Sequence, residues 1–146
     1  MKVNKLTPNL EVKDIKEVVQ FYNTILGFTL IMAVPDTQDG VEQSIDEGKQ
    51  YVYALMSKDH VEIMFQRTDT FKKDIAMLKD LTIGASATFY MEIEGLDGFY
   101  NEIKNKVSEK TEPKTAWYGM REFYVKDPNG YVLGFAEKLE DEDILS

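Results

Sequence analysis

The 146-residue chain has no cysteine, one histidine and one tryptophan. Without thiols there is no disulfide framework, no thiolate nucleophile and no thiolate metal site. The lone histidine, His60, falls in the turn "KDH" out of phase with the strand beside it, and reads as a surface turn residue rather than a ligand or base. Basic residues are in deficit, 17 Lys and Arg against 26 Asp and Glu, for a net charge of −9. A polyanion such as nucleic acid would be repelled by that balance; a cationic small molecule would be drawn in, but solubility is the plainer and preferred reading of the charge. No apolar run approaches the roughly 18 residues of a membrane span, and the opening "MKVNKLTPNLEV" lacks the apolar stretch of a signal peptide, so a cytoplasmic protein is expected. What remains, 43% hydrophobic and 12% aromatic residues, suits one soluble globular domain.

The chain repeats itself. In "DIKEVVQFYNTILG", Asp14 and Glu17 have capping-box spacing, Ile15, Val18, Val19, Tyr22 and Leu26 share one helical face, and Gly27 closes the segment. Leu96, Phe99, Tyr100, Ile103 and Val107 repeat that spacing further along, each at the same offset from its counterpart. Before each helix lies a strand of period two. Pro8, Leu10 and Val12 alternate with Thr7, Asn9 and Glu11, and Phe89, Met91 and Ile93 alternate with Thr88, Tyr90 and Glu92, again at that offset. After each helix come about three more strands: "GFTLIMAV", "QYVYALMS" and "VEIMFQR" in the first half, "KTAWYGM", "REFYVK" and "YVLGFAEK" in the second. The spacing predicts a first βαβββ module over about 1–68, a linker over about 69–86, a second module over about 87–139 and an acidic tail, 140–146. The linker would carry a short helix, "FKKDIAMLKDL", with Ile75, Leu78 and Leu81 facing inward. One such module exposes a sheet face that it cannot bury alone, so the two are expected to pair within a single domain.

In "VKDIKEVVQFYNTILGF" and in the hairpin "GMREFYVKDPNGYVLGFAE" the chain resembles the vicinal oxygen chelate superfamily. That superfamily includes glyoxalase I, extradiol dioxygenases, fosfomycin-modifying enzymes and bleomycin-resistance proteins. The resemblance covers nearly the whole chain. It implies an α+β fold in which tandem βαβββ modules form a cupped mixed sheet with helices on the convex face. In the metal-dependent members the ligands come from the first and last strands of each module, on the concave face. The matching positions here read Thr7, Thr88, Glu62 and Gly134, and only Glu62 is a ligand type. Two hydroxyls and a glycine do not replace the three or more His, carboxylate or thiolate donors of a catalytic site. Glu11 and Glu92, on the same predicted face, are the carboxylates that could add to it. The pattern is most similar to the bleomycin-resistance type, which lacks a metal and sequesters its ligand in a cleft, often as a dimer.

By that resemblance no cofactor and no metal are expected, the partners being a small molecule and a second copy of the chain. The ligand surface would include Thr7, Asn9, Tyr53, Glu62 and Met64 from the first module and Thr88, Tyr90, Trp117 and Gly134 from the second. Each has a plainer reading. Trp117 can wall a ligand or sit at a rim, Tyr90 and Met64 can floor a pocket or pack between modules, and Glu62 can meet a ligand or pair with Arg121. Tyr51 and Tyr53 share one parity and line the cup only if Val52 and Ala54 face the helix. The turn residues Asp127, Pro128, Asn129 and Gly130 are structural. The competing functions are a metal-dependent lyase, transferase or dioxygenase built on Glu62, and a scaffold module whose cup is filled by its own side chains.

Overall fold

A computed structural model describes residues 1–84 and 86–140. They form two compact units that meet in sequence between Ile83 and Gly84. The first contains β1 (Asn9–Val12), α1 (Ile15–Thr24), β2 (Thr29–Pro35), β3 (Tyr51–Lys58), β4 (Val61–Arg67) and α2 (Thr68–Asp74), followed by a 3₁₀ turn at Ala76–Leu78. Its sheet runs in the order β1-β4-β3-β2, with β1 parallel to β4 and the other pairs antiparallel. The second unit contains β5 (Thr88–Glu92), α3 (Leu96–Ile103), β6 (Lys114–Thr115), β7 (Met120–Lys126) and β8 (Val132–Lys138), in the order β5-β8-β7-β6 with β5 parallel to β8. Each unit therefore repeats the βαβββ connection predicted from the constant offset between the halves. No helix among the described residues is long and apolar enough to cross a membrane.

The helices form where the apolar spacing places them. Asp14 is the N-cap of α1, its Oδ1 accepting from Lys16 N at 2.9 Å and Glu17 N at 3.4 Å, and Gly27 adopts the left-handed conformation (φ 77°) that leaves the helix. Ile15, Val18, Val19, Tyr22 and Leu26 are buried with Val12, Ala54, Met56, Ile63 and Phe65 of the sheet. Tyr22 sets its ring 4.8 Å from that of Phe65. In the second unit Leu96, Ile103 and Val107 are buried with Phe123, Leu133 and Phe135, although α3 itself stops at Ile103.

Two elements differ from the sequence reading. The helix after β4 starts at Thr68 and breaks at Ile75, where the backbone leaves helical space (φ −120°, ψ 79°). Its buried residues are Thr70 and Phe71, while Leu81 is exposed. The aromatic ring of Phe71, one turn from the end of β4, takes the core position that the spacing of Ile75, Leu78 and Leu81 suggested for them. The strand expected over "KTAWYGM" reduces to Lys114–Thr115, because Gly119 (φ 85°) turns the chain and its N–H bonds back to Ala116 O at 3.0 Å. Trp117 thus sits in a turn. The tail from Asp141 onward lies outside the described residues.

Candidate functional site

Cross-strand partners project to the same side of a sheet, so the register defines each face. In the first unit, the side turned away from α1 carries the rows Asn9–Met64–Leu55–Met32 and Glu11–Gln66–Tyr53–Val34. Asn9 Nδ2 donates to Gln66 Oε1 at 3.0 Å, and Gln66 Nε2 donates to Thr70 Oγ1 at 3.2 Å and Asp74 Oδ2 at 2.9 Å. Burial, and then the negative charge of Glu62, raise the Tyr53 phenol above its ordinary value. Val52 and Ala54 do face the core, but Tyr51 is buried beside them. Its hydroxyl donates to Glu42 Oε1 and accepts from Asp46 N, both at 2.8 Å, which ties down the 36–50 loop. Thr7 precedes β1, half-buried. Within its own unit Glu62 pairs with Lys5 at 2.6 Å, and Arg121 within the other pairs with Asp97 at 3.0 Å.

A concavity of about 880 Å³ lies between α1 and the 36–50 loop. It is on the helix side of the sheet, and two of its polar side chains are committed: Asp14 caps the helix, and Lys16 Nζ donates to Glu47 O at 3.1 Å. No aromatic side chain lines it.

The second unit is different. Tyr90, Gly134 and Tyr124 are consecutive partners across β5, β8 and β7, and Glu92, Ala136, Glu122 and Lys114 form the next row. The tyrosine rings lean over the glycine. A Cβ at Gly134 would stand 2.8 Å from Tyr124 Cε1 and 3.2 Å from Tyr90 Cδ1. Glu122 receives two phenols: Tyr90 donates to Oε2, and Tyr118 donates to Oε1 at 2.5 Å. Desolvation, and then the hydrogen bond that the Glu122 carboxylate accepts from it, push Tyr90 well above the ordinary phenol value. For Tyr118 the Glu122 hydrogen bond comes first and desolvation second, again upward. Beside this cluster is a concavity of about 440 Å³ whose lining includes Thr111, Glu112, Lys114, Thr115, Trp117, Glu122 and Tyr124. Trp117 is 94% exposed and packs edge-on to Tyr118 at 5.4 Å. Thr88 is exposed, on the row of Val132 and Lys126.

The register also corrects one correspondence between the halves. Asn9 and Tyr90 are counterparts in the two first strands, and their β-partners are Met64 and Gly134. The last-strand counterpart of Gly134 is therefore Met64, not Glu62, because the halves have loops of different length and the constant offset of strand and helix does not survive to the last strand. The positions where the fold family holds a metal thus read Thr7, Met64, Thr88 and Gly134. This set does not fit a divalent ion: a thioether and two hydroxyls are poor donors, and the rings of Tyr90 and Tyr124 fill the space a ligand side chain at 134 would need. Glu11, offered above as an added donor, is buried at 6% exposure. Among the described residues no three His, Asp or Glu side chains are grouped to hold a metal.

Glu122, Tyr118 and Tyr124 were absent from the ligand surface expected from sequence. For Glu122 and Tyr124 the signal was the alternation in "REFYVK", where buried Phe123 and Val125 put them on the opposite face.

Two βαβββ units, each with parallel first and last strands, define the glyoxalase and bleomycin-resistance class of α+β fold. A family model described as "Glyoxalase/Bleomycin resistance protein/Dioxygenase superfamily" matches residues 3–135, and the chain belongs to that superfamily. It is 27% identical over 142 residues to bleomycin resistance proteins of Geobacillus stearothermophilus and Staphylococcus aureus, covering 91% of this chain and 96% of each relative. Among solved structures, it is similar to a glyoxalase/bleomycin resistance protein/dioxygenase from Nocardioides. There the TM-score is 0.70 and the identity 18%, over 97% of this chain and 87% of that one. It is also similar to the bleomycin-binding protein of bleomycin-producing Streptomyces verticillus, complexed with copper(II)-bleomycin. There the TM-score is 0.57 and the identity 20%, over 97% and 99% of the two chains. At these identities the structural likeness speaks for the fold alone.

Proposed function

We propose that the chain is a binding protein without a catalytic metal, and that it takes a small molecule with a flat apolar portion against the β5-β8-β7 face of its second unit. The observation that carries this reading is the packing at Gly134: where a metal ligand would stand, Tyr90 and Tyr124 close over the backbone. An aromatic floor, a carboxylate and an exposed indole beside a 440 Å³ concavity match what small-ligand sites use, a mostly apolar wall with a few placed polar groups. The first unit offers its own face, with Asn9, Tyr53 and Met64, as a second surface of mixed polarity. The 27% identical relatives carry the name bleomycin resistance protein, and bleomycin is therefore the first ligand to try.

Trp117 is the sole tryptophan, so its fluorescence reports on one place. Titration with metal-free bleomycin is expected to change that emission saturably, with a stoichiometry near one per chain. Elemental analysis of protein purified without added metal is expected to find no stoichiometric transition metal. Stoichiometric zinc, nickel, iron or manganese that is lost in Glu62→Ala would overturn the proposal in favour of a metal-dependent enzyme. An indole that responds to no aromatic ligand would favour a scaffold instead.

A further inference from the structure

We propose that Glu122, Tyr90 and Tyr118 form a subsite that reads hydrogen-bond donors, and that it selects ligands ending in an N–H-bearing cation such as an amidinium or guanidinium. The inference rests on the binding reading above and specifies the chemistry of that site.

The donor and acceptor count drives it. A phenol has one hydrogen to give, and Tyr90 and Tyr118 both spend theirs on the same carboxylate, one on each oxygen. Facing outward, each phenol oxygen then offers only lone pairs, and each carboxylate oxygen keeps a second acceptor position. The cluster is thus rich in acceptors and has no hydroxyl hydrogen left to offer. Both phenols have their ionisation pushed up, so they remain protonated and keep this pattern through the neutral range.

The charge is available as well. Lys114 is the cross-strand neighbour of Glu122 but makes no ion pair with it among the described residues, and Arg121, next in sequence, is held by Asp97. Among the described residues the anion is hydrogen-bonded by neutral groups and has no ion-pair partner. Glu122 also lines the 440 Å³ concavity, where Trp117 and Tyr124 supply ring faces and edges for the apolar part of the same ligand. An ammonium ion that is fully methylated would satisfy the charge but none of the acceptors. A neutral amide would satisfy some of the acceptors and not the charge. An amidinium on an aromatic ring satisfies both.

Three probes of similar size separate these terms: benzamidine, benzamide and trimethylphenylammonium, titrated by calorimetry and Trp117 fluorescence. Benzamidine is expected to bind about tenfold tighter than either of the others, the scale of one charge-assisted hydrogen bond. Glu122→Gln is expected to remove that advantage over benzamide. Equal binding of benzamidine and trimethylphenylammonium, absence of benzamidine binding, or retention of the preference in Glu122→Gln would each overturn the subsite. If bleomycin still perturbs Trp117 in those cases, the broader binding reading survives. Silence of Trp117 towards bleomycin and all three probes overturns both. Should the variant not fold, the wild-type ranking of the probes decides.

Discussion

At Gly134 the absence of a side chain is a packing requirement. The nearest ring carbon would lie 2.8 Å from an added methyl, closer than side chains tolerate, and that carbon belongs to Tyr124, which is wedged beside Tyr90. Gly134→Ala is therefore expected to destabilise the protein by about 1–3 kcal/mol, the usual cost of overpacking, read as a lower urea midpoint. Adding Tyr124→Ala should return part of that loss, since the two substitutions share one space and are not additive. A cost that is unchanged when Tyr124 is truncated would place the strain elsewhere. The same crowding separates this position from Glu62. A carboxylate introduced at 134 meets two tyrosines, while Glu62 stands on another row and already has Lys5.

At the scale of elements, the two helices show how equivalent segments meet one physical need by different means. A helix start leaves backbone N–H groups without partners. α1 answers locally with Asp14. The N-cap position of α3 is Gly95, which has left-handed backbone (φ 73°) and no side chain, and Glu137 of β8 supplies the cap: Oε2 accepts from Gly95 N at 2.8 Å and Oε1 from Leu96 N at 3.2 Å. Glu137→Ala is expected to cost about 0.5–2 kcal/mol, as loss of a local N-cap does, seen as a lower thermal midpoint with faster amide exchange in α3. An unchanged midpoint would mean that water replaces the carboxylate. The Asp14 cap was legible because it lies within one turn of its helix. The Glu137 cap was not, because Glu137 is remote from Gly95 along the chain and only strand pairing brings β8 to that end. Sequence spacing misplaces the helix after β4 for a related reason: periodicity ranks apolar positions within a segment but is blind to Phe71 competing from the segment before.

For the molecule as a whole, the charge of −9 favours capture of cations at low salt, in keeping with the chemistry proposed at Glu122. Each sheet ends on its first strand, β1 or β5, hydrogen-bonded within its unit on one side. Edges of that kind are usually covered, and a homodimer is the expected form in solution. Light scattering should give about twice the 16.8 kDa chain mass. A monomer at micromolar concentration would exclude that assembly and leave the ligand surface to one chain.

The amino-acid sequence by itself determined the duplication, the strand and helix order, the core face of α1 and the resemblance to the superfamily, because each is written in the spacing within a single element or in the repetition of that spacing. Tertiary structure alone decided which last-strand residue of the first half is the counterpart of Gly134, where the α3 cap comes from, and that two tyrosines share Glu122. Those depend on strand register between segments of unequal loop length, and sliding one strand by a full pleat preserves every apolar alternation while it exchanges one functional side chain for another.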